Sequence, residues 1–391
     1  MSKDLSADGL RGIAALTVVI CHFLVSFSPA GYKYLYPGTA SANAKWTLLD
    51  SIISIPSISV LWSGHFAVCV FFVLSGYVLT KKYIESGDLK LLKLSAARRY
   101  VRLCVPVFGS VMLSYVLFSA GFKYSQSAGD ISGSSWLTSF WDFTPSFYSA
   151  LKEGIYGGIF DGISIYTPPL WTMKIEFIGS MLVFAYAALA LRGWHAAAGF
   201  VTLTIALIFF APSEWIYYVG FIAGSYIGAM NLTKNKTLIY GVLVLGVVLG
   251  GFDLSPFYDW TNIISMEVGS RKTLFCMMGG ICVVYAVRAG ALRSLWESHP
   301  AQFLGKISYS LYLVHFPILL TFSSWFYIRL AHSSINPYLS MALNFFVSCL
   351  IFLAVAVVFT KTFDRGGILL SKKLFPGNVN TGLSKTVAQQ S

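Results

Sequence analysis

The feature that most constrains this chain is the recurrence of long stretches with almost no charge. Uninterrupted apolar runs of about 17 to 25 residues, enough for a helix to cross a bilayer core, occur ten times. They lie near 10–28, 60–80, 103–121, 170–191, 195–211, 214–230, 237–252, 272–289, 307–328 and 339–360. The expected fold class is therefore all-α, a polytopic membrane bundle of about ten transmembrane helices. Composition agrees: 56% of the 391 residues are hydrophobic and only 11% are charged, against roughly 25% charged in soluble domains. The net charge of +12 raises nucleic acid as a partner. The basic residues fall between the apolar runs, however, which fits a lipid bilayer and no nucleic acid.

Six cysteines lie in or beside the runs and none forms a CxxC pair. They read as packed thiols, and no metal site is expected. Lys3, Arg11 and the "SPA" at 28–30 faintly resemble a secretory signal. So many equally apolar runs follow that the first reads as a retained anchor.

Orientation follows from the connections. With the N-terminus inside, 20 of the 28 Lys and Arg lie on inner segments and seven on outer ones, while Lys174 falls within a run. Both termini are expected in the cytoplasm. Residues 1–373 read as one transmembrane domain, and 374–391 as a short disordered tail. The long outer connection 122–169 carries "SSWLTSFWDFTPSFY". Its aromatics suit either sugar stacking or helices lying at the membrane interface.

Ionisable groups inside such runs cost a few kcal/mol and call for a reason. In "LRGIAALTVVICHF" (10–23), Arg11 and His22 are eleven residues apart, so they share one helical face and differ in depth by about 16 Å. A midplane histidine held neutral can accept a proton, or it can serve as a packing bond between helices. In "PPLWTMKIEF" (168–177), Trp171 marks the outer interface and Glu176 lies about two turns in. That carboxyl must pair, stay protonated or face water. "ISYSLYLVHFPI" (307–318) puts His315 near the depth of His22, with Tyr312 one turn earlier. In "ARRYVRLCVP" (97–106), Arg99 and Arg102 share a side and suit phosphate, or simply form a basic inner flank. His65, His195, His299 and His332 fall at run ends or in connections. "FFVLSGYVL" (71–79) contains Gly76, which permits close helix approach.

Five stretches in this order, "DGLRGIAALTVVICH", "FFVLSGYVLT", "RRYVRLCVP", "LWTMKIEF" and "ISYSLYLVHFP", resemble the acyltransferase-3 family of integral membrane acyltransferases. The resemblance covers about residues 5–360. It implies about ten transmembrane helices in a bacterial-type inner (plasma) membrane. It also implies transfer of an acyl group, usually acetyl, from cytoplasmic acyl-CoA to a hydroxyl of a glycan or glycolipid. Acetyl-CoA is then a co-substrate, and no tightly bound cofactor is expected. Only the membrane core is expected, without the hydrolase-like domain that many relatives append.

By this resemblance His22 matches the essential histidine and Arg11 its paired arginine. Arg99 and Arg102 match the Arg-x-x-Arg pair that would hold the donor. Glu176 matches the family glutamate, although "TMKIEF" lacks the second acid of the commoner "SLSVEEQF". His22 would act as base or acyl carrier, with Glu176, His315 and Tyr312 positioning the acceptor or orienting the imidazole, and Trp171 among the substrate-binding residues. The competing class is a proton-coupled transporter or flippase of a lipid-linked or glycan substrate, with the histidines as a relay. No two-half symmetry supports it.

Overall fold

The computed structural model describes residues 4–190 and 194–377. Each apolar run becomes a helix: α1 (Leu5–Phe27), α2 (Gly64–Ser86), α3 (Leu89–Ser119), α4 (Trp171–Ala188) and α5 (Trp194–Phe210). Then follow α6 (Trp215–Ala229), α7 (Lys236–Gly250), α8 (Val268–Arg288), α9 (His299–Ile318) and α10 (Pro337–Phe359). A π-helical turn, Thr360–Asp364, carries α10 into α11 (Arg365–Leu374). The described residues form no strand, only an isolated antiparallel bridge between Ala40 and Ser134. The polar tail expected at the C-terminus lies, from residue 378 onward, outside the described residues.

Seven of these helical segments are long and apolar enough to cross a membrane. The other three, α5, α6 and α7, are shorter at 17, 15 and 15 residues. At 1.5 Å per residue, a 15-residue helix reaches only about 22 Å, less than a typical hydrocarbon core of about 30 Å. Large apolar side chains face outward on several helices, including Val201 and Phe210 of α5, Val244 of α7, and Phe346 and Leu350 of α10. A lipid-facing surface of this kind, on an all-helical chain, makes the protein a multi-pass membrane bundle.

Two helices start earlier than their apolar runs, and caps explain both. Asp88 accepts a hydrogen bond from the Lys90 N–H at 2.9 Å, so α3 begins at Leu89 and carries the basic stretch through Arg102 in helical register. Ser298 caps Ala301, and Pro300 sits in the first turn of α9, where its missing N–H costs nothing. Farther on, Pro317 cannot donate to the Leu313 carbonyl. Ser110 of α3 donates its hydroxyl to that carbonyl at 2.7 Å. The freed acceptor thereby pins α9 to α3 two residues before His315.

Glycine sets the closest helix approaches. A methyl group on Gly12 of α1 would lie 2.4 Å from the Gly305 nitrogen of α9. One on Gly76 of α2 would lie 1.8 Å from the Phe221 carbonyl oxygen of α6. Only hydrogen fits at either place, which is the small-residue packing of membrane helices. The first contact holds α1 and α9 backbone to backbone, so that side chains farther along both helices can meet across the interface. Lys174, the cation within a run, is matched by Glu214 at 3.6 Å.

Candidate active site

The two histidines expected at similar depth meet. His22 Nδ1 lies 2.8 Å from His315 Nε2, with the rings stacked at 5.1 Å between centroids and 14° between planes. His315 is fully buried, and its Nδ1 lies 3.0 Å from the Leu311 carbonyl oxygen one turn back. A carbonyl can only accept, so His315 Nδ1 carries a hydrogen and Nε2 holds the lone pair. His22 Nδ1 must then be the donor of the pair. By elimination His22 Nε2 is the unprotonated nitrogen, and no protein group among the described residues bonds it. One backbone carbonyl thus sets both tautomers and leaves a base on His22.

His22 lines two cavities, of about 540 and 420 Å³, that share Trp136, Pro169 and Trp171 as walls. Trp136 stacks on the His22 ring at 5.3 Å. It reaches there because its segment is tied to the end of α1. Ser132 Oγ donates to the Ser26 carbonyl at 2.7 Å, and Ser134 Oγ to that of Val25 at 2.8 Å. The aromatic stretch of this connection divides its work. Trp136, Phe140 and Phe143 line the larger cavity, while Phe147 and Tyr148 are exposed. Trp141 is buried on Phe118, donating its indole N–H to the Tyr166 carbonyl at 3.0 Å.

A third cavity of about 600 Å³ lies toward the start of α1 and is strongly basic. Arg11, Lys82, Arg98, Arg102, Lys306 and Lys372 line it, against the carboxyls of Glu176 and Asp364. Arg102 makes no hydrogen bond or ion pair among the described residues. Arg99 is committed: it bonds the Glu176 carboxylate, and its Nε donates to Ser180 Oγ at 2.8 Å. Ser75 adds a hydroxyl to the same Glu176 oxygen at 2.8 Å. Arg11 bonds Asp8 at 2.7 Å and keeps its Nε without a partner. Arg98 grips the Phe375 carbonyl through Nε and Nη2 at 3.0 and 2.6 Å, strapping the end of α11 against α3.

Tyr312 and Val68 line both the 420 Å³ cavity and the basic one, and so form the wall between them. The Tyr312 hydroxyl donates to the Pro169 carbonyl at 2.9 Å and meets Thr172 Oγ1 at 2.9 Å.

The sequence candidates therefore sort into two groups. His22, His315, Trp171 and Tyr312 gather around the paired cavities. Arg11, Arg99, Arg102 and Glu176 gather in the basic chamber. Arg11 and His22, expected on one helical face, open into different compartments. Glu176 stands against Arg99, away from the histidines. Lys272 and Ser110 were not singled out in the sequence, although Lys272 carried a usable signal, a cation at the edge of an apolar run. Trp136 lay in the aromatic stretch read for sugar stacking or the membrane interface, but nothing local says which tryptophan of a loop folds back onto a helix end.

The fold and site define a membrane-embedded helix bundle in which a stacked histidine pair stands beside an aromatic chamber, with a separate basic chamber beyond Tyr312. The chain belongs to the acyltransferase-3 family: residues 4–361 match its acyltransferase domain. The acyltransferase clz18 of Cochliobolus lunatus is 24% identical over 439 aligned positions, covering 90% of this chain and 92% of that protein. Acyltransferase R4 of a Phoma species is 24% identical, covering 97% and 94%. The O-acetyltransferase PaAT-1 of Phomopsis amygdali is 24% identical, covering 80% and 72%. No solved structure matches. The protein is thus a multi-pass membrane acyltransferase.

Proposed function

We propose that the protein transfers an acyl group, acetyl by preference, from acyl-CoA to an acceptor hydroxyl, with His22 as general base. The observation that carries this reading is the tautomer relay Leu311 carbonyl, His315, His22, which leaves Nε2 of His22 free as an acceptor facing a cavity. The acceptor O–H gives its proton to Nε2 while its oxygen attacks the thioester carbonyl. The carbon–sulfur bond then breaks, and the thiolate of CoA recovers the proton from His22. His315 accepts the Nδ1–H throughout and stabilises the transient imidazolium.

The basic chamber suits the phosphates of CoA, with Arg102 as the uncommitted guanidinium and Arg98, Lys82 and Lys372 around it. Arg99 acts by holding Glu176 and α4 in place. The pantetheine arm would pass the wall made by Tyr312 to bring the thioester to His22. The aromatic walls of the His22 cavities suit the apolar faces of a ring-bearing acceptor, and a glycan or glycolipid hydroxyl is the reading adopted. Both ends of the chain would then lie on the acyl-CoA side, in the cytoplasm, with the bundle in the plasma membrane.

The test is acyl transfer by purified protein in liposomes, with radiolabelled acetyl-CoA and extracted glycolipid. Wild type should transfer label, and His22→Ala should lose about 10²- to 10⁴-fold in rate, the usual contribution of a positioned base. A folded His22→Ala protein with full activity would overturn the role.

A further inference from the structure

The smaller of the two His22 cavities contains a cation that the transfer chemistry does not use. Lys272 lies one turn inside α8 and lines the 420 Å³ cavity together with His22. Its Nζ donates to the Leu35 carbonyl and stands 3.6 Å from the centre of the Tyr36 ring. Tyr36 is itself held, its hydroxyl accepting the His65 backbone N–H at 2.9 Å. Among the described residues no carboxylate comes within 4 Å of Lys272. Asp253, a buried carboxylate, lines the same cavity and attracts Lys272 through space from beyond ion-pair distance, while its Oδ1 accepts the Ser255 N–H at 2.9 Å.

An ammonium has three N–H groups. The carbonyl takes one and the ring face attracts the charge, so at least one donor remains for whatever enters the cavity. A cation held at the edge of a membrane helix with no carboxylate in direct contact keeps hydrogen-bonding capacity for a further anionic partner. Lys272 does not line the basic chamber, so that partner is not the donor's phosphates.

We propose that Lys272 binds an anionic group of the acceptor, making the substrate a hydroxyl compound that also carries a carboxylate or a phosphate. This rests on the reading that the His22 cavities hold the acceptor. With its charge on Lys272 the acceptor is anchored at one end, and its hydroxyl is left to swing toward Nε2 of His22. Neutral hydroxyl compounds of the same shape lack that anchor.

The experiment compares trans-4-hydroxycyclohexanecarboxylate, its primary amide and trans-4-hydroxycyclohexyl phosphate as probes. Binding to the full-length protein in detergent is measured calorimetrically, without acyl-CoA, and transfer is measured separately with it. Wild type should bind an anionic probe at least tenfold tighter than the amide, and whichever anion binds more tightly identifies the group. Lys272→Gln should erase this preference and Lys272→Arg should keep it. A lysine that only ties the 33–36 segment to α8 would, when replaced, weaken all three probes alike. Wild-type binding of the amide as tight as that of both anions overturns the inference without any variant, as does a preference that survives in Lys272→Gln. His22→Ala should keep the preference while losing transfer. A Lys272-dependent preference in a wild-type protein that transfers no acyl group would uphold the anion site and sink the transfer reading instead.

Discussion

Replacing His315 by alanine tests the central geometry most directly, because this residue touches the base and nothing that reacts. In the resting state the change removes one neutral hydrogen bond, that from His22 Nδ1 to His315 Nε2. At the moment of proton transfer the donor becomes an imidazolium, and the bond is then charge-assisted. Hydrogen bonds to charged groups are worth about 1.5–3 kcal/mol against about 1 for a neutral one, and only the difference, about 0.5–2 kcal/mol, slows the reaction, at 1.36 kcal/mol per tenfold. The chemical step should therefore slow by about 2- to 30-fold, while KM for acetyl-CoA stays within about twofold. His315→Gln should recover part of the loss, since its amide oxygen can reach toward the place of Nε2. A single-turnover assay in liposomes reads the chemical step, and a melting curve of each variant shows that it is folded. If folded His315→Ala turns over at the wild-type rate, or glutamine rescues nothing, the tautomer relay is the wrong account.

Three further outcomes follow from the packing and charge. Arg102→Ala should raise KM for acetyl-CoA with little loss of stability. Arg99→Ala should instead destabilise the fold by about 1–3 kcal/mol, because it leaves the partly buried Glu176 carboxylate held only by Ser75; equal effects of the two changes on KM would contradict this division. Gly76→Val should disrupt folding, since even a methyl group would overlap the Phe221 carbonyl oxygen and overpacking costs about 1–3 kcal/mol or more; a normal melting temperature would refute the close approach. Glu153, in the outer connection, is buried, and burial raises its pKa to about 7 despite hydrogen bonds from the Tyr166 and Ile165 N–H groups. Its folded pKa lies above the unfolded value near 4.5. The folded state therefore binds more protons in this window, and stability should fall by about 3 kcal/mol as pH rises from roughly 4.5 to 7. Glu153→Gln should flatten that slope in thermal melts at several pH values, and an unchanged slope would refute it.

The scarcity of charge along the chain was enough to dictate the helices. A chain with so little charge must satisfy its backbone internally in lipid, and the ten apolar runs become ten helices for that reason. Helical rise placed His22 and His315 at similar depths, and the cost of polar groups in lipid marked Glu176, Arg99 and Arg102 as residues needing partners. What remained open was which partners these would be, because depth along a helix says nothing about rotation against its neighbours. Only the tertiary structure turned His22 toward His315, through a glycine contact between α1 and α9 that permits no side chain. It likewise joined Glu176 to Arg99 rather than to the histidines, and drew Trp136 over the base through hydrogen bonds to the last carbonyls of α1. It also turned Lys272 into the cavity that His22 lines. Depth is a property of one segment, whereas a site is made by contacts between segments far apart in the chain.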